Sequence, residues 1–148
     1  MNLIELVVGV RPRWHIDEPP RNVKWRQARP KPTPPVRAWR AEGDTHVETE
    51  GGALVARGGA DYIVHYEDGA RAVVRDDIFR RTYTSMGGGV FQKRTDIVLN
   101  YFVLDRDAVV EALEGEQRAK SGDWVMEGVA GELWPVPRAK AREKYERL

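Results

Sequence analysis

Asp61, Gly69, Val74, Arg80 and Tyr83 recur as Asp123, Gly131, Val136, Arg142 and Tyr145, each 62 positions further on and without a gap. Tyr62, Ile63 and Val64 meet Trp124, Val125 and Met126 at the same offset, so the apolar pattern recurs along with the identities. Upstream, the offset pairs Val36 with Val98 and Trp39 with Tyr101. Fixed-period self-similarity marks one supersecondary unit used twice, here over residues 36–83 and 98–145. Units this short are each near the size at which an independent core fails. The expectation is therefore two pseudo-equivalent units packed on one shared core.

Each unit reads as hairpin followed by short helix. Asp61 to Tyr66 alternates and is rich in β-formers, so it predicts a strand. Glu67-Asp68-Gly69 predicts the turn, because glycine tolerates positive φ and Asp-Gly is a strong hairpin signal. Ala70 to Arg75 returns, and Asp76 is placed to cap a helix over 77–83 by accepting an orphan N–H. Phe79 and Tyr83 are four apart and share a helix face. In the second copy the turn is Ala130-Gly131, the return strand 132–136 and the helix 138–147, with Ala141 and Tyr145 inward. Pro135 and Pro137 end the pairing, since proline lacks the donor a ladder needs. Further upstream, 46–55 reads as strand, glycine turn, strand. Its counterpart, Asp105 to Leu113, has the local propensity of a helix capped by Asp105 or Asp107. The repeat favours a strand through Val109–Ala112 and a turn at Glu114-Gly115, and that reading is preferred. The fold class is a β-rich α+β protein with a Pro-rich N-terminal arm. Its divisions are 1–35 (strand and basic arm), 36–83, a glycine-containing joint at 84–97, and 98–148.

The arm differs in kind. Seven of nine prolines lie between Pro12 and Pro35, and Pro30-Lys-Pro-Thr-Pro-Pro35 predicts a stiff polyproline II spacer. Asn2 to Val10 alternates loosely and reads as a strand added to a sheet edge. Residues 1–41 carry nine Lys/Arg and three Asp/Glu (+6), residues 42–114 eight and fourteen (−6), and residues 115–148 seven and six (+1). A basic end beside an acidic middle suits an intramolecular clasp, head-to-tail association or a polyanion site. Arg26, Arg29, Lys31 and Trp25 form the candidate nucleic-acid set, because cations neutralise phosphates and aromatic faces stack on bases. The competing reading has Trp14, Trp25 and Trp39 pinning the arm to the repeats, and it is preferred for at least two of the three.

The chemistry-bearing residues are sparse. With no cysteine, there is no disulfide, thiolate zinc site or cysteine nucleophile. His15, His46 and His65 stand 31 and 19 residues apart, away from helix or strand ligand spacing, so no metal and no cofactor are predicted. Gly87-Gly-Gly89 lacks the Lys-Ser/Thr of a phosphate loop. Asp61 and Asp123 serve turns more readily than acid–base chemistry. An enzyme acting on a nucleotide requires at least two of Asp61, Asp123, His65, Glu67 and Glu127 to converge. No basic leader or ~20-residue apolar run is present, so a cytoplasmic protein without membrane contact is expected.

Gly122-Asp123-Trp124, Gly131-Glu132, Trp134-Pro135 and Tyr145 resemble the PGDYG-type small bacterial and phage domains. Ser121 stands for the leading proline and Ala141 for the closing phenylalanine. The first copy keeps Asp61, Tyr62, Gly69, Phe79 and Tyr83 without the Trp-Pro pair. This resemblance covers about two thirds of the chain and implies a fold rather than a reaction. Tyr62, Val64, Tyr66, Asp68, Gly69, Phe79 and Tyr83 are also similar to a stretch of the phage Thoeris anti-defence sponges, which implies an oligomer sequestering a cyclic-nucleotide signal. The expected function is non-enzymatic binding, with the paired aromatic hairpins presenting Tyr62, His65, Tyr66, Trp124 and Trp134 to a ligand. The alternatives are a nucleotide sponge, single-strand binding by the arm and, last, a nucleotide-acting enzyme. The partner is left open, and the binding surface is either the groove between the units or a homo-oligomer interface.

Overall fold

The computed structural model describes residues 14–148; the strand expected at Asn2–Val10 lies outside them. The protein is β-rich α+β, and it divides into two compact units. One is continuous, Pro30–Ile97. The other is split, joining the residues up to Arg29 to Val98–Leu148. No helix among the described residues is long and apolar enough to cross a membrane.

The first two strands, β1 (Trp14–Ile16) and β2 (Arg26–Pro30), serve the split unit, so the front of the arm is sheet. The continuous unit follows as β3 (Val36–Arg40), β4 (Thr45–Thr49), β5 (Gly52–Ala56), β6 (Asp61–His65), β7 (Arg71–Arg75), α1 (Asp76–Thr82), β8 (Tyr83–Gly87) and β9 (Val90–Lys93). Its antiparallel sheet runs β7-β6-β3-β9-β8. One face buries Val36, Ala38, Val64 and the α1 residue Phe79. The other face carries the β4–β5 hairpin, through Val47 and Ala56 against Ala41 and Ile63. This is the pleat at work, with alternate residues of one strand feeding two cores. Residues 84–97, expected as a joint, instead supply β8 and β9 to the sheet. Gly87, Gly88 and Gly89, all at positive φ, turn the chain between them.

The split unit continues as β10 (Leu99–Val103), β11 (Ala108–Ala112), β12 (Gly115–Ala119), β13 (Trp124–Glu127), β14 (Leu133–Val136), α2 (Arg138–Lys144) and β15 (Tyr145–Arg147). Its five-stranded sheet runs β14-β13-β10-β2-β15, and a second sheet runs β1-β11-β12. Phe102, Val125 and Leu133 meet Ile16, Val110 and Ala119 between the two. Asp105–Leu113 contains the strand preferred for it and not the helix, because Val109 to Ala112 pair with Arg118 to Gly115.

Three local expectations change. Asp76 is not the cap of α1: Arg75 holds that position with no side-chain bond, and Asp76 lies inside the first turn. The helix expected over 138–147 stops at Lys144. Tyr145 is extended (φ −129°), and Leu148 N–H donates to the Gln27 carbonyl at 3.0 Å, because pairing beside β2 replaces the last helical turn. Pro135 pairs with Val125 inside β14 instead of ending it. This is tolerated because β14 is an edge strand, where a missing N–H breaks no ladder.

The offset itself needs a correction upstream. Tyr66 N–H donates to Ala70 O and Gly128 N–H to Glu132 O, a shift of 62 at both partners. Ala41 N–H donates to Asp61 O and Leu104 N–H to Asp123 O, a shift of 63 at the donor and 62 at the acceptor. One residue is therefore missing between β12 and β13 relative to β5–β6. Ala38, and not Trp39, matches Tyr101, and Trp39 matches Phe102. A one-residue slip turns every side chain to the opposite face, so Trp39 and Tyr101, paired by the ungapped offset, lie on opposite faces of their sheets.

Candidate functional site

Arg26 on β2 lies directly opposite Tyr101 on β10, and directly opposed residues share a sheet face. On that face Tyr101 stacks on Trp124, with ring centroids 4.0 Å apart and planes within 12°. Arg138 and Arg142 are four apart on α2, so they project to one side of the helix. Arg147 comes from β15. These four arginines, with Tyr101, Val103, Gly122 and Trp124, line a cleft of about 280 Å³. A shallower depression of about 720 Å³, lined by Trp25, Gln27, Asn100 and Leu148, shares Arg26, Tyr101 and Arg147 with it. The cleft is positioned by backbone: Asp123 accepts from Lys120 N–H at 2.9 Å and, through its other oxygen, from Arg138 N–H at 3.1 Å. That carboxylate therefore fixes the start of α2 against the β12–β13 turn. At Gly122 (φ +91°) a Cβ would come within 3.6 Å of the Arg138 side chain.

No acid lines the cleft. The four guanidiniums lie around an aromatic floor, and their planar forks suit carboxylate or phosphate oxygens. Tyr101 and Trp124 are only 1% and 4% exposed. They form the floor and do not offer faces for stacking a base.

The continuous unit handles the corresponding positions differently. Asp76, 62 residues before Arg138, accepts from Arg40 at 2.8 Å and from Arg80 at 2.9 Å. Arg80 stands 62 residues before Arg142, and Arg40 stands 63 before Val103. Where one unit places a carboxylate between two arginines, the other places a further arginine.

The residues singled out from the sequence scatter. Trp124 and Arg26 belong to the cleft and Trp25 to its neighbouring depression. Tyr62 is half-buried in an aromatic stack with Phe79. His65 rests edge-on against Trp39 at 4.7 Å, and burial, then Arg71, lowers its pKa. Tyr66 is 38% exposed, and Trp134 is half-buried on the edge strand β14. Arg29 pairs with Glu146 at 3.1 Å, and Lys31 is exposed beyond β2. Trp14 and Trp25 pack on Phe102, and Trp25 Nε1 donates to the Pro20 carbonyl; Trp39 is 45% exposed. Among the acid–base candidates, Asp61 accepts from Arg57 N–H, the same turn-fixing role as Asp123. Arg138, Arg142 and Arg147 were missed. The signal was present in the repeat, which sets Arg138 opposite Asp76.

A second polar group spans β1, β11 and β12. His15 Nε2 lies 2.9 Å from Glu111 and 4.0 Å from Glu116, and their ligand-type atoms fall within 4.8 Å of one another. Glu111 and Glu116 are direct cross-strand partners, a like-charge arrangement that costs stability and that an imidazolium relieves. The hydrogen bond to Glu111 raises the His15 pKa.

The chain matches no protein-family model, no curated protein and no solved structure.

Proposed function

We propose that the chain is a non-enzymatic binding protein built from two copies of one PGDYG-like unit, and that its split copy takes a phosphate-bearing ligand of nucleotide size. Support for the two copies comes from matching strand orders and hydrogen bonds at offsets of 62 and 63, with β2 standing where β9 stands. The observation that carries the ligand is the exchange of Asp76 for Arg138. In the continuous unit an internal carboxylate neutralises Arg40 and Arg80. In the split unit the guanidinium of Arg138 stands there, and no acid lines the cleft, so an anionic ligand suits the position. The phosphate sits among Arg26, Arg138, Arg142 and Arg147. The rest of the ligand lies along the depression beside Trp25 and Asn100. This favours a nucleotide over single-stranded nucleic acid, because the cleft floor is closed to stacking and Arg29 is paired with Glu146.

Calorimetry with pyrophosphate, adenosine diphosphate, a cyclic dinucleotide and a single-stranded oligonucleotide tests the reading. Binding of pyrophosphate and at least one nucleotide is expected. Arg138→Asp, which installs the continuous unit's arrangement, should weaken it at least about tenfold. Silence from every phosphate compound at about 1 mM and low salt defeats the proposal. Tight binding of the oligonucleotide alone transfers it to the nucleic-acid reading.

A further inference from the structure

In the split unit, β1 adds in parallel to the outer edge of β11, with Trp14 opposite Ala108 and Ile16 opposite Val110. Three contacts hold this short strand. Trp14 lies against the Phe102 ring, with centroids 5.8 Å apart. Ile16 is buried beside Val110. His15, between them, turns outward and bonds Glu111 at 2.9 Å.

The continuous unit presents the receiving half of the same arrangement. At an offset of 63, Val47 stands for Val110, Glu48 for Glu111 and Trp39 for Phe102. Among the described residues the β4–β5 sheet has only its two strands, and no counterpart of β1 lies beside β4. Trp39 is accordingly 45% exposed, where Phe102 is 1%. Val55, the cross-strand partner of His46, is 46% exposed. Thr45 to Thr49 contains no proline, and its pairing with β5 is unbroken by a bulge, so the β4 backbone edge is regular, and its one charge is Glu48.

We propose that the outer edge of β4 is a docking site for an extended segment of a partner protein with the pattern aromatic–basic–aliphatic. It adds in parallel, as β1 does on β11. The aromatic residue covers Trp39, the basic residue bonds Glu48 and the aliphatic residue packs beside Val47. Main-chain bonds to a free edge supply affinity and the alternating side chains supply selectivity. Charge points the same way: residues 41–56 hold Glu42, Asp44, Glu48 and Glu50 and no lysine or arginine, so basic flanks are favoured. The inference rests on the equivalence of the two units and is independent of the arginine cleft.

The test uses the full-length ¹⁵N-labelled protein and a capped peptide, Arg-Pro-Arg-Trp-His-Ile, which copies residues 11–16. Saturable NMR shifts are expected for β4 and β5 amides and for the Trp39 indole. Glu48→Lys should weaken binding about tenfold, and a peptide with alanine for tryptophan should not bind. The Arg138→Asp protein should bind the peptide as the parent does, so failure here leaves the cleft standing and failure of the cleft leaves this site standing. Three results overturn the proposal: no shifts at about 1 mM peptide, shifts confined to β11 and β12, or β4 shifts that grow with protein concentration in the absence of peptide. The last assigns the edge to a second copy of the chain.

Discussion

His15 and His65 carry opposite shifts for opposite physical reasons. His15 accepts no burial penalty large enough to offset its bond to Glu111 and the charges of Glu111, Glu116 and Asp17, so its pKa rises. His65 is lowered first by burial and then by Arg71. An unfolded histidine titrates near 6.5. A raised folded pKa means that the stabilising contribution of His15 is full below about 6.5 and is lost as pH climbs through its folded pKa. For His65 the unfolded chain binds the proton more readily, so its contribution turns unfavourable as pH falls below about 6.5. An NMR titration should place the His15 midpoint above about 6.5 and the His65 midpoint below it. Glu111→Gln should bring the His15 midpoint down and leave that of His65 in place. Coincident midpoints would refute at least one of the two assignments.

At the scale of elements, helix and strand exchange the source of one ring. In the continuous unit, α1 contributes Phe79, which stacks on Tyr62 at 4.1 Å and on Tyr83 at 4.7 Å, while β3 contributes the small Ala38. In the split unit, α2 contributes Ala141, and β10 contributes Tyr101, stacked on Trp124. One ring under each helix, from one side or the other, is the arrangement that dense packing leads us to expect. Phe79→Ala should cost about 3–5 kcal/mol by urea denaturation. Ala141→Phe should cost about 1–3 kcal/mol, because Ala141 is fully buried. Ala38→Tyr added to Phe79→Ala should recover part of the loss, with a coupling of at least about 0.5 kcal/mol. Strict additivity would show that the two rings do not share one space.

For the whole molecule the near-zero net charge of +1 conceals its distribution. The +6 of the first 41 residues does not stay on a free arm. Arg26 enters the arginine cleft, Arg29 meets Glu146 and Arg40 meets Asp76. A ligand held by guanidiniums in an open cleft should feel the ionic strength of its surroundings. Affinity for pyrophosphate should fall steadily between about 0.05 and 1 M salt, as the screening length shortens from more than 10 Å to about 3 Å. An affinity indifferent to salt would assign the binding to apolar contacts instead.

The sequence alone determined the β-rich α+β class, the hairpins and their glycine turns, because these rest on local rules: alternation, positive φ and spacing. Gly69 and Gly131 show it, at φ +89° and +81° with the same N–H to carbonyl closure. Even the choice of strand over helix at 108–112 was legible through the repeat. Tertiary structure decided what local rules do not reach. It drew β2 across the chain to stand between β10 and β15, a pairing with no short-range signature. It turned the last helical residues into β15, because an open sheet position outweighed local propensity. It also fixed the register at β3 and β10, where Ala38 faces Val64 and Tyr101 faces Met126. The arginine cleft follows from these decisions: its four cations lie on β2, α2 and β15, far apart in sequence, and only the assembled sheet brings them together.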